Sequence, residues 1–323
     1  MILVVGGAGY IGSHTVLNLQ KNGYDVLVYD NLSTGHKEYL KKVNFECGDL
    51  SDIEKLNSIF LKYKIKTVIH FAANAYVGES IIKPDLYYKN NVCNGLVLLE
   101  CMKENNVKDI IFSSSCATYG IPKSMPITEE TQQNPVSPYG MTKYIFERIL
   151  SDFHAAFGFN FICLRYFNAA GANVDCETGE WHIPETHVIP LILDCAHDHK
   201  KIFQIFGTDY PTKDGTCIRD YVHVDDLADA HMFAINYLSK PSHVNYINLG
   251  TGSGYSILEL LSAVERLTGN KIAIQQCEKR KGDPAELIAS NDLAEKELNW
   301  KPKRSSIDNI ILTAWNWHKK LMN

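Results

Sequence analysis

The chain reads as an α/β protein in which a doubly wound parallel sheet is followed by a smaller, loop-rich C-terminal α/β domain. Two observations predict this. From residue 2 to about 168, short apolar runs alternate with helix-period stretches, the pattern of strands joined by crossover helices. Past that point the rhythm breaks into sequence rich in Gly, Pro, His and acidic residues. A chain of 323 residues has room for two domains. We place them at 1–168 and 169–323, with segments near 216–250 returning to the first.

Each element follows from its residues. Ile2-Leu3-Val4-Val5 is a short apolar run suited to a buried strand. Gly6, Gly9 and Gly12 come next, spaced G-x-x-G-x-x-G, and a helical pattern through Val16, Leu17 and Leu19 closes at Asn22-Gly23. The second strand, Val26-Leu27-Val28-Tyr29, ends at Asp30. Further strands are predicted at 43–47, 67–71, 109–113 and 160–164, with helices around 52–63, 85–104 and 138–157. In the second half, 210–215 reads as a turn. The glycine-rich 248–254 lacks the strand-to-helix-to-acid context of the first glycine run and reads as a tight connection. The last helical pattern is 256–268.

Composition narrows the function classes. The net charge of −5, with the signs well mixed, gives no basic surface for nucleic acid and no patch for an anionic membrane. No apolar stretch approaches a membrane span, and no signal peptide precedes the first strand. Nine cysteines, an odd number without C-x-x-C pairs, point to a reducing, cytoplasmic setting. His197 and His199 lie at a solvated helix end beside Lys200-Lys201, so no metal is assigned.

The first glycine run supplies a binding chemistry. Glycines at a strand-to-helix turn let the backbone approach a pyrophosphate, and the helix N-terminus faces it. Asp30, at the end of the second strand, suits a ribose 2′-hydroxyl and repels a 2′-phosphate, favouring NAD over NADP. This is the Rossmann arrangement. Tyr139 and Lys143 supply a reaction chemistry. Four residues apart on one helix, they share a face. Ser137 is placed to cap that helix and Pro138 to open it. An ammonium held beside the phenol is expected to lower its pKa towards a useful base.

These features resemble the extended short-chain dehydrogenase/reductase family, and within it the UDP-hexose 4-epimerase group. The resemblance rests on Gly6-Gly-Ala-Gly-Tyr-Ile-Gly-Ser-His14, Asp30-Asn-Leu32, His70-Phe-Ala-Ala73, Val77-Gly-Glu-Ser80, Tyr88-Lys-Asn-Asn-Val92, Ser113-Ser-Ser-Cys-Ala-Thr-Tyr-Gly120, Arg165-Tyr-Phe-Asn-Ala-Ala-Gly171 and the block 214–224. It implies a tightly bound NAD, with UDP-glucose and UDP-galactose as substrates. Tyr139 is then the base at the sugar's 4-hydroxyl, Lys143 its charge partner and Ser115 the hydrogen-bonding partner of the 4-oxygen. The adenosine end of the cofactor falls to Gly6, Gly9, Tyr10, Ile11, Gly12, Asp30, Asn31, Asp49 and Leu50. The nicotinamide end falls to Phe71, Ala72, Ala73, Asn90 and Phe167, with Ser115, Tyr139 and Lys143.

The resemblance gives the UDP-sugar to residues of the second domain. Arg219 and Arg280 are expected to clamp the diphosphate, with Asn168, Val188, Phe206 and Asp283 around the rest of the nucleotide. Three positions depart from the family pattern. Ala75 stands where some members have lysine. His187 replaces an asparagine that touches the diphosphate in many members. Leu287 takes the position that limits room at the sugar's C2, so N-acetylated hexosamines are expected to turn over more slowly than glucose. A 4,6-dehydratase would need a carboxylate directly after Ser115, where Cys116 stands. A hexuronate epimerase would want a group for the C6 carboxylate, and a nucleotide sensor would have no use for a poised base. A homodimer is implied through helices near 91–105 and 138–157. The apolar residues there (Val92, Leu96, Leu99, Ile145 and Ile149) could equally cover the sheet.

Overall fold

The computed structural model describes residues 1–240, 245–280 and 282–322. The chain begins β1 (Ile2–Val5), α1 (Tyr10–Lys21), β2 (Val26–Asp30), β3 (Asn44–Cys47), α2 (Ile53–Lys62) and β4 (Thr67–His70). It continues α3 (Val77–Ile82), α4 (Pro84–Tyr87), α5 (Asn94–Glu104), β5 (Asp109–Ser115), α6 (Pro138–Phe157), β6 (Asn160–Tyr166) and β7 (Asn168–Ala170). Then come α7 (Val188–His197), β8 (Phe203–Phe206), β9 (Ile218–Arg219), β10 (Tyr221–His223), α8 (Val224–Leu238) and β11 (Tyr246–Leu249). The last elements are β12 (Tyr255–Ser256), α9 (Ile257–Thr268), β13 (Ile274–Cys277), β14 (Glu286–Leu287), α10 (Asp292–Leu298) and α11 (Ile307–Met322).

Seven parallel strands form the main sheet in the order β11-β6-β5-β4-β1-β2-β3. The order reverses between β1 and β4. A ligand of such a sheet lies beyond the strand ends at that reversal. Both faces are covered. Val16 and Leu19 of α1, Leu227, Ala230 and Ala234 of α8 and Leu298 of α10 seal one side. Leu56, Ile59, Leu98, Leu99, Phe146 and Leu150 seal the other. Each fully buried Leu, Ile or Phe contributes about 1.5–3 kcal/mol. The outermost strand, β11, and α8 come from beyond residue 216, so this segment lies on the sheet; residues 241–244 within it are outside the described set.

The structure corrects two sequence readings. The helix expected over 85–104 is interrupted, with a π-helical turn at Tyr88–Cys93 between α4 and α5. A helix also does not end the pattern at 268, because α10 and α11 follow. In α11, Ile310, Ile311, Ala314 and Trp317 are buried at helical spacing. With α7 and α9, Ile310, Ile311 and Ala314 build the core of the second half around Ile192, Leu260 and Val264. The glycine-rich 248–254 segment is a tight connection. Asp220, fully buried, accepts from the amides of Thr251 (2.9 Å) and Gly252 (3.2 Å).

The expected dimer residues divide. Leu99 is buried, and Ile149 packs against the same core. Val92, Leu96 and Ile145 keep part of their surface open.

A tight backbone constraint lies in the first turn. Gly6 has φ +81°, and a side chain there would start 2.4 Å from the Ala72 amide. A Cβ on Gly12 would sit 2.2 Å from the Gly6 carbonyl oxygen. Gly78, in α3, has nothing within 4 Å. Gly12→Ala is therefore expected to lose about 1–3 kcal/mol through overpacking against backbone. Gly78→Ala should gain about 0.4–1 kcal/mol. Urea unfolding of the two variants measures the contrast.

Candidate active site

The glycine turn sits where the sheet order reverses. Gly9 caps α1, and among the described residues beyond its chain neighbours a Cβ there would meet only the Gly6 oxygen, at 3.5 Å, so this face of the turn is open. Asp30 accepts from the amides of Ala8 (2.9 Å) and Leu32 (2.8 Å), bracing the turn from the next strand. Burial raises its pKa against the pull of those two amides. Beside it, the Asn31 amide donates to Asp49 Oδ2 at 2.7 Å, the Tyr29 hydroxyl donates to the Asp49 carbonyl, and Leu50 is buried. An open glycine-lined turn, a helix N-terminus and a carboxylate at the strand end fit a dinucleotide. Ile11 follows in the first turn of α1. The Tyr10 side chain turns elsewhere, donating to the Gly171 carbonyl at 2.6 Å.

Phe71, Ala72 and Ala73 leave the end of β4, and the Ala72 amide bonds back to Val5. The π-helical turn places Asn90 and Asn91 together. Asn91 holds the Asn74 amide at 2.8 Å and donates to Thr142 of α6, and Asn90 donates to Asn91. Such a turn inserts an extra residue and re-aims side chains, which is why it favours sites.

The reaction residues meet where α6 crosses the end of β5. Ser137 caps α6 through the Gly140 amide, Pro138 opens it, and Tyr139 lies near enough to Ser115 for the serine to hold its pKa down. Ser115 Oγ also accepts from the Ala117 amide. Lys143 Nζ lies 5.9 Å from the Tyr139 ring centre and donates to the Ser113 carbonyl at 2.6 Å. The expectation of a lowered phenol pKa is corrected here. Burial pushes Tyr139 up to about 12, against the pull of Ser115, and pulls Lys143 down to about 7, against Glu147. Desolvation makes a lone charge costly on either group and is the largest influence on both.

Glu147, one turn further on, was missed in the sequence. It accepts from Ser114 Oγ and forms a bidentate pair with Arg165, at 2.9 and 2.7 Å. The pair is almost fully buried. Removing one partner of such a pair costs about 3–5 kcal/mol. The signal was present: Tyr139, Lys143 and Glu147 continue one four-residue spacing.

The second half contributes the other wall. Arg219 is paired with Asp283, and Arg219 lies in register with Leu287 across β9 and β14. The Arg280 guanidinium lies 4.1 Å over the Phe206 ring. Asn168 donates to the Asp220 carbonyl. Phe167 is buried with Tyr119, Ile127 and Ala289, against which Leu287 and Cys116 pack. His187 caps α7 just before Val188.

A second cluster escaped the sequence reading. Glu180, His182, Glu185 and His187 bring their ligand atoms within 4.8 Å of one another. His187 Nδ1 lies 2.8 Å from carboxylate oxygens of both Glu180 and Glu185. Burial disfavours a charge on His187, but the two carboxylates outweigh it and hold the imidazolium. Glu180 is 7% exposed. Burial disfavours its charge too, yet His187 and His182 bring it down to about 2.

Residues 2–250 match the NAD dependent epimerase/dehydratase family. The chain is 47% identical over 319 residues to the UDP-glucose 4-epimerase of Rhizobium meliloti, covering 99% of this chain and 97% of the relative. It is 46% identical to the UDP-glucose 4-epimerase of Brucella ovis solved in complex with NAD, with a TM-score of 0.95 and 98% of each chain covered. It is 41% identical to the enzyme from Bifidobacterium longum solved with NAD+ and UDP, with a TM-score of 0.94, covering 100% of this chain and 99% of the other.

The Glu180 cluster sets a pH dependence. Its folded pKa is depressed below the ordinary 4.5, so the stability it contributes is complete above that value and is lost as pH falls towards about 2. Glu180→Gln is expected to be less stable at neutral pH and to lose less across that acid window. Thermal melts at several pH values measure the difference.

Proposed function

The chain belongs to the NAD dependent epimerase/dehydratase family, and we infer that it interconverts UDP-glucose and UDP-galactose by inverting C4 of the sugar. The single observation that carries this reading is the meeting of Ser115, Tyr139 and the buried Lys143 at the end of β5, on the sheet edge that also carries the glycine turn. The likeness to UDP-glucose 4-epimerases over nearly the whole chain supports it.

Tyr139 takes the proton of the 4-hydroxyl and gives it back, while Ser115 hydrogen-bonds the same oxygen as it passes between alcohol and ketone. NAD held there would supply a hydride acceptor and donor for C4 of the sugar. The glycine turn, Asp30 and the Asn31–Asp49 pair hold the adenosine end of NAD, and Phe71–Ala73, Asn90 and Phe167 surround the other end. Lys143 adds positive charge beside Tyr139. In a water-poor cleft the phenolate needs more than one cation nearby, so the base forms only in the loaded site.

Inversion needs a firm hold on the nucleotide and a loose one on the sugar. Arg219 and Arg280 suit the diphosphate, since guanidinium matches phosphate bidentately. Arg219 must exchange Asp283 for it, freeing that carboxylate for a ribose hydroxyl. Asn168, Val188, Phe206 and His187 complete the nucleotide wall. Leu287, half-buried, faces the sugar with a flexible apolar side chain, so the ring can turn while UDP anchors it.

We place the protein in a reducing, cytoplasmic compartment, supported by nine unpaired cysteines. No helix among the described residues is long and apolar enough to cross a membrane. A homodimer across α5 and α6 is supported by the open surfaces of Val92, Leu96 and Ile145. Sedimentation at the mass of a single 36.4 kDa chain would remove it.

Incubating the protein with UDP-galactose should yield UDP-glucose, and denaturing it should release close to one NAD per chain. UDP-N-acetylglucosamine should turn over more slowly. Tyr139→Phe should retain NAD and UDP yet lose roughly 10²–10⁴ in kcat. Absence of dinucleotide together with unchanged UDP-galactose overturns the assignment.

A further inference from the structure

The proposed chemistry leaves one well-built segment unused. Residues 171–181 run beside the glycine turn and are bonded to α1, the loop after β2, α8 and α11. The segment is closed on itself by a bridge between Ala172 and Gly179 and by the bond from the Asn173 amide to the Thr178 carbonyl at 3.0 Å. On its inner side, Tyr10 donates to the Gly171 carbonyl at 2.6 Å, and Ser13 shares a hydrogen bond with Thr178 at 2.5 Å. Both partners lie in the opening turns of α1.

On its outer side, the Trp181 and His36 rings stack at 3.9 Å and 4°. His36 Nε2 also lies 2.6 Å from the Trp181 carbonyl oxygen. His36 belongs to the chain leaving β2, and its own amide bonds to Ala8 in the glycine turn at 2.9 Å. Tyr39 donates to the Gly179 carbonyl at 2.8 Å. Behind, the indole of Trp317 in α11 donates to the Glu180 carbonyl at 2.8 Å. The fit there is close, since a Cβ on Gly179 would fall 2.4 Å from that indole ring.

We propose that residues 171–181 form a clasp over the dinucleotide site and that the His36–Trp181 pair is its latch, setting how slowly NAD leaves. This rests on the NAD-dependent reading above. The inner bonds join the clasp to the helix whose N-terminus faces the pyrophosphate. The latch joins it to the loop after Asp30, which flanks the adenosine ribose. The clasp ties these two elements together, so parting them to free the cofactor breaks the stack and its hydrogen bond together. Because hydride returns to the carbon it left, a turnover needs no such opening. The latch residues are therefore positioning residues that act on retention and leave the chemical step alone.

The test uses the holoprotein as purified. Its NAD content is measured first; a wild-type protein without dinucleotide brings down the NAD reading, and the clasp with it. Exchange of bound NAD against excess isotopically labelled NAD then gives the release rate. Trp181→Ala and His36→Ala should each exchange several-fold to about tenfold faster, the size expected for losing a stacked pair. Their kcat on UDP-galactose at saturating NAD should stay at the wild-type value. Trp181→Phe, which keeps a stacking ring, should restore most of the retention. Tyr39→Phe removes one bond without disturbing packing and should exchange faster too, which covers the case of an alanine variant that folds poorly. Wild-type exchange in folded Trp181→Ala or His36→Ala overturns the proposal, and so does faster exchange accompanied by an equal fall in kcat.

Discussion

One line of side chains on α6 decides what the rest of the molecule has to accomplish. Tyr139, Lys143 and Glu147 follow each other a turn apart at the serine end of β5, with Lys143 and Glu147 buried and Tyr139 partly buried. Burial is what gives the phenol and the amine their reluctance to ionise, and it also makes any charge brought beside them effective. The Glu147–Arg165 pair under the serines keeps this arrangement fixed. It is bonded in turn to Tyr119 and Asn248, so the floor of the cleft is tied to β6 and β11 as well as β5.

Around that floor the chain is built to different stiffness. On the dinucleotide side the contacts are backbone against backbone: Gly6 on Ala72, Gly12 on Gly6, Asp30 on two amides. On the wall contributed by the second half, which we assign to the nucleotide sugar, they are long side chains, Arg219 and Arg280, resting on Asp283 and Phe206. Backbone contacts have one geometry, whereas guanidinium groups can change partners. That division matches a cofactor that stays and a substrate that comes and goes.

Much of this was legible in the sequence because it is local. The glycine spacing, the capped start of α6 and the four-residue step from Tyr139 to Lys143 all concern neighbours within a turn or a strand, where periodicity and capping rules apply. The π-helical turn at Tyr88–Cys93 was not, because its sequence still reads as continuous helix and only the Asn91–Asn74 bond shows what the extra residue is for. The phenol's pKa was misjudged for a related reason. Spacing reveals that two groups share a face but not how deeply that face is buried. The contacts of 171–187 were out of reach, since His36, Tyr39 and Trp317 lie far away along the chain. The helices α10 and α11 were a plain omission, for their apolar spacing is as regular as that of α9.

The position of β11 has a consequence for how the molecule comes into being. Its parallel partner β6 is completed at Tyr166, yet the strand that covers it is Tyr246–Leu249, reached only after the polypeptide has traversed α7, β8, β9, β10 and α8. During synthesis the growing sheet therefore carries a bare, hydrogen-bond-hungry border of Cys163, Leu164 and their neighbours. Such a border invites pairing with other nascent chains. Conditions that slow elongation through this stretch lengthen that exposure, so the yield of soluble protein in a host cell depends on translation speed as well as on the stability of the finished fold.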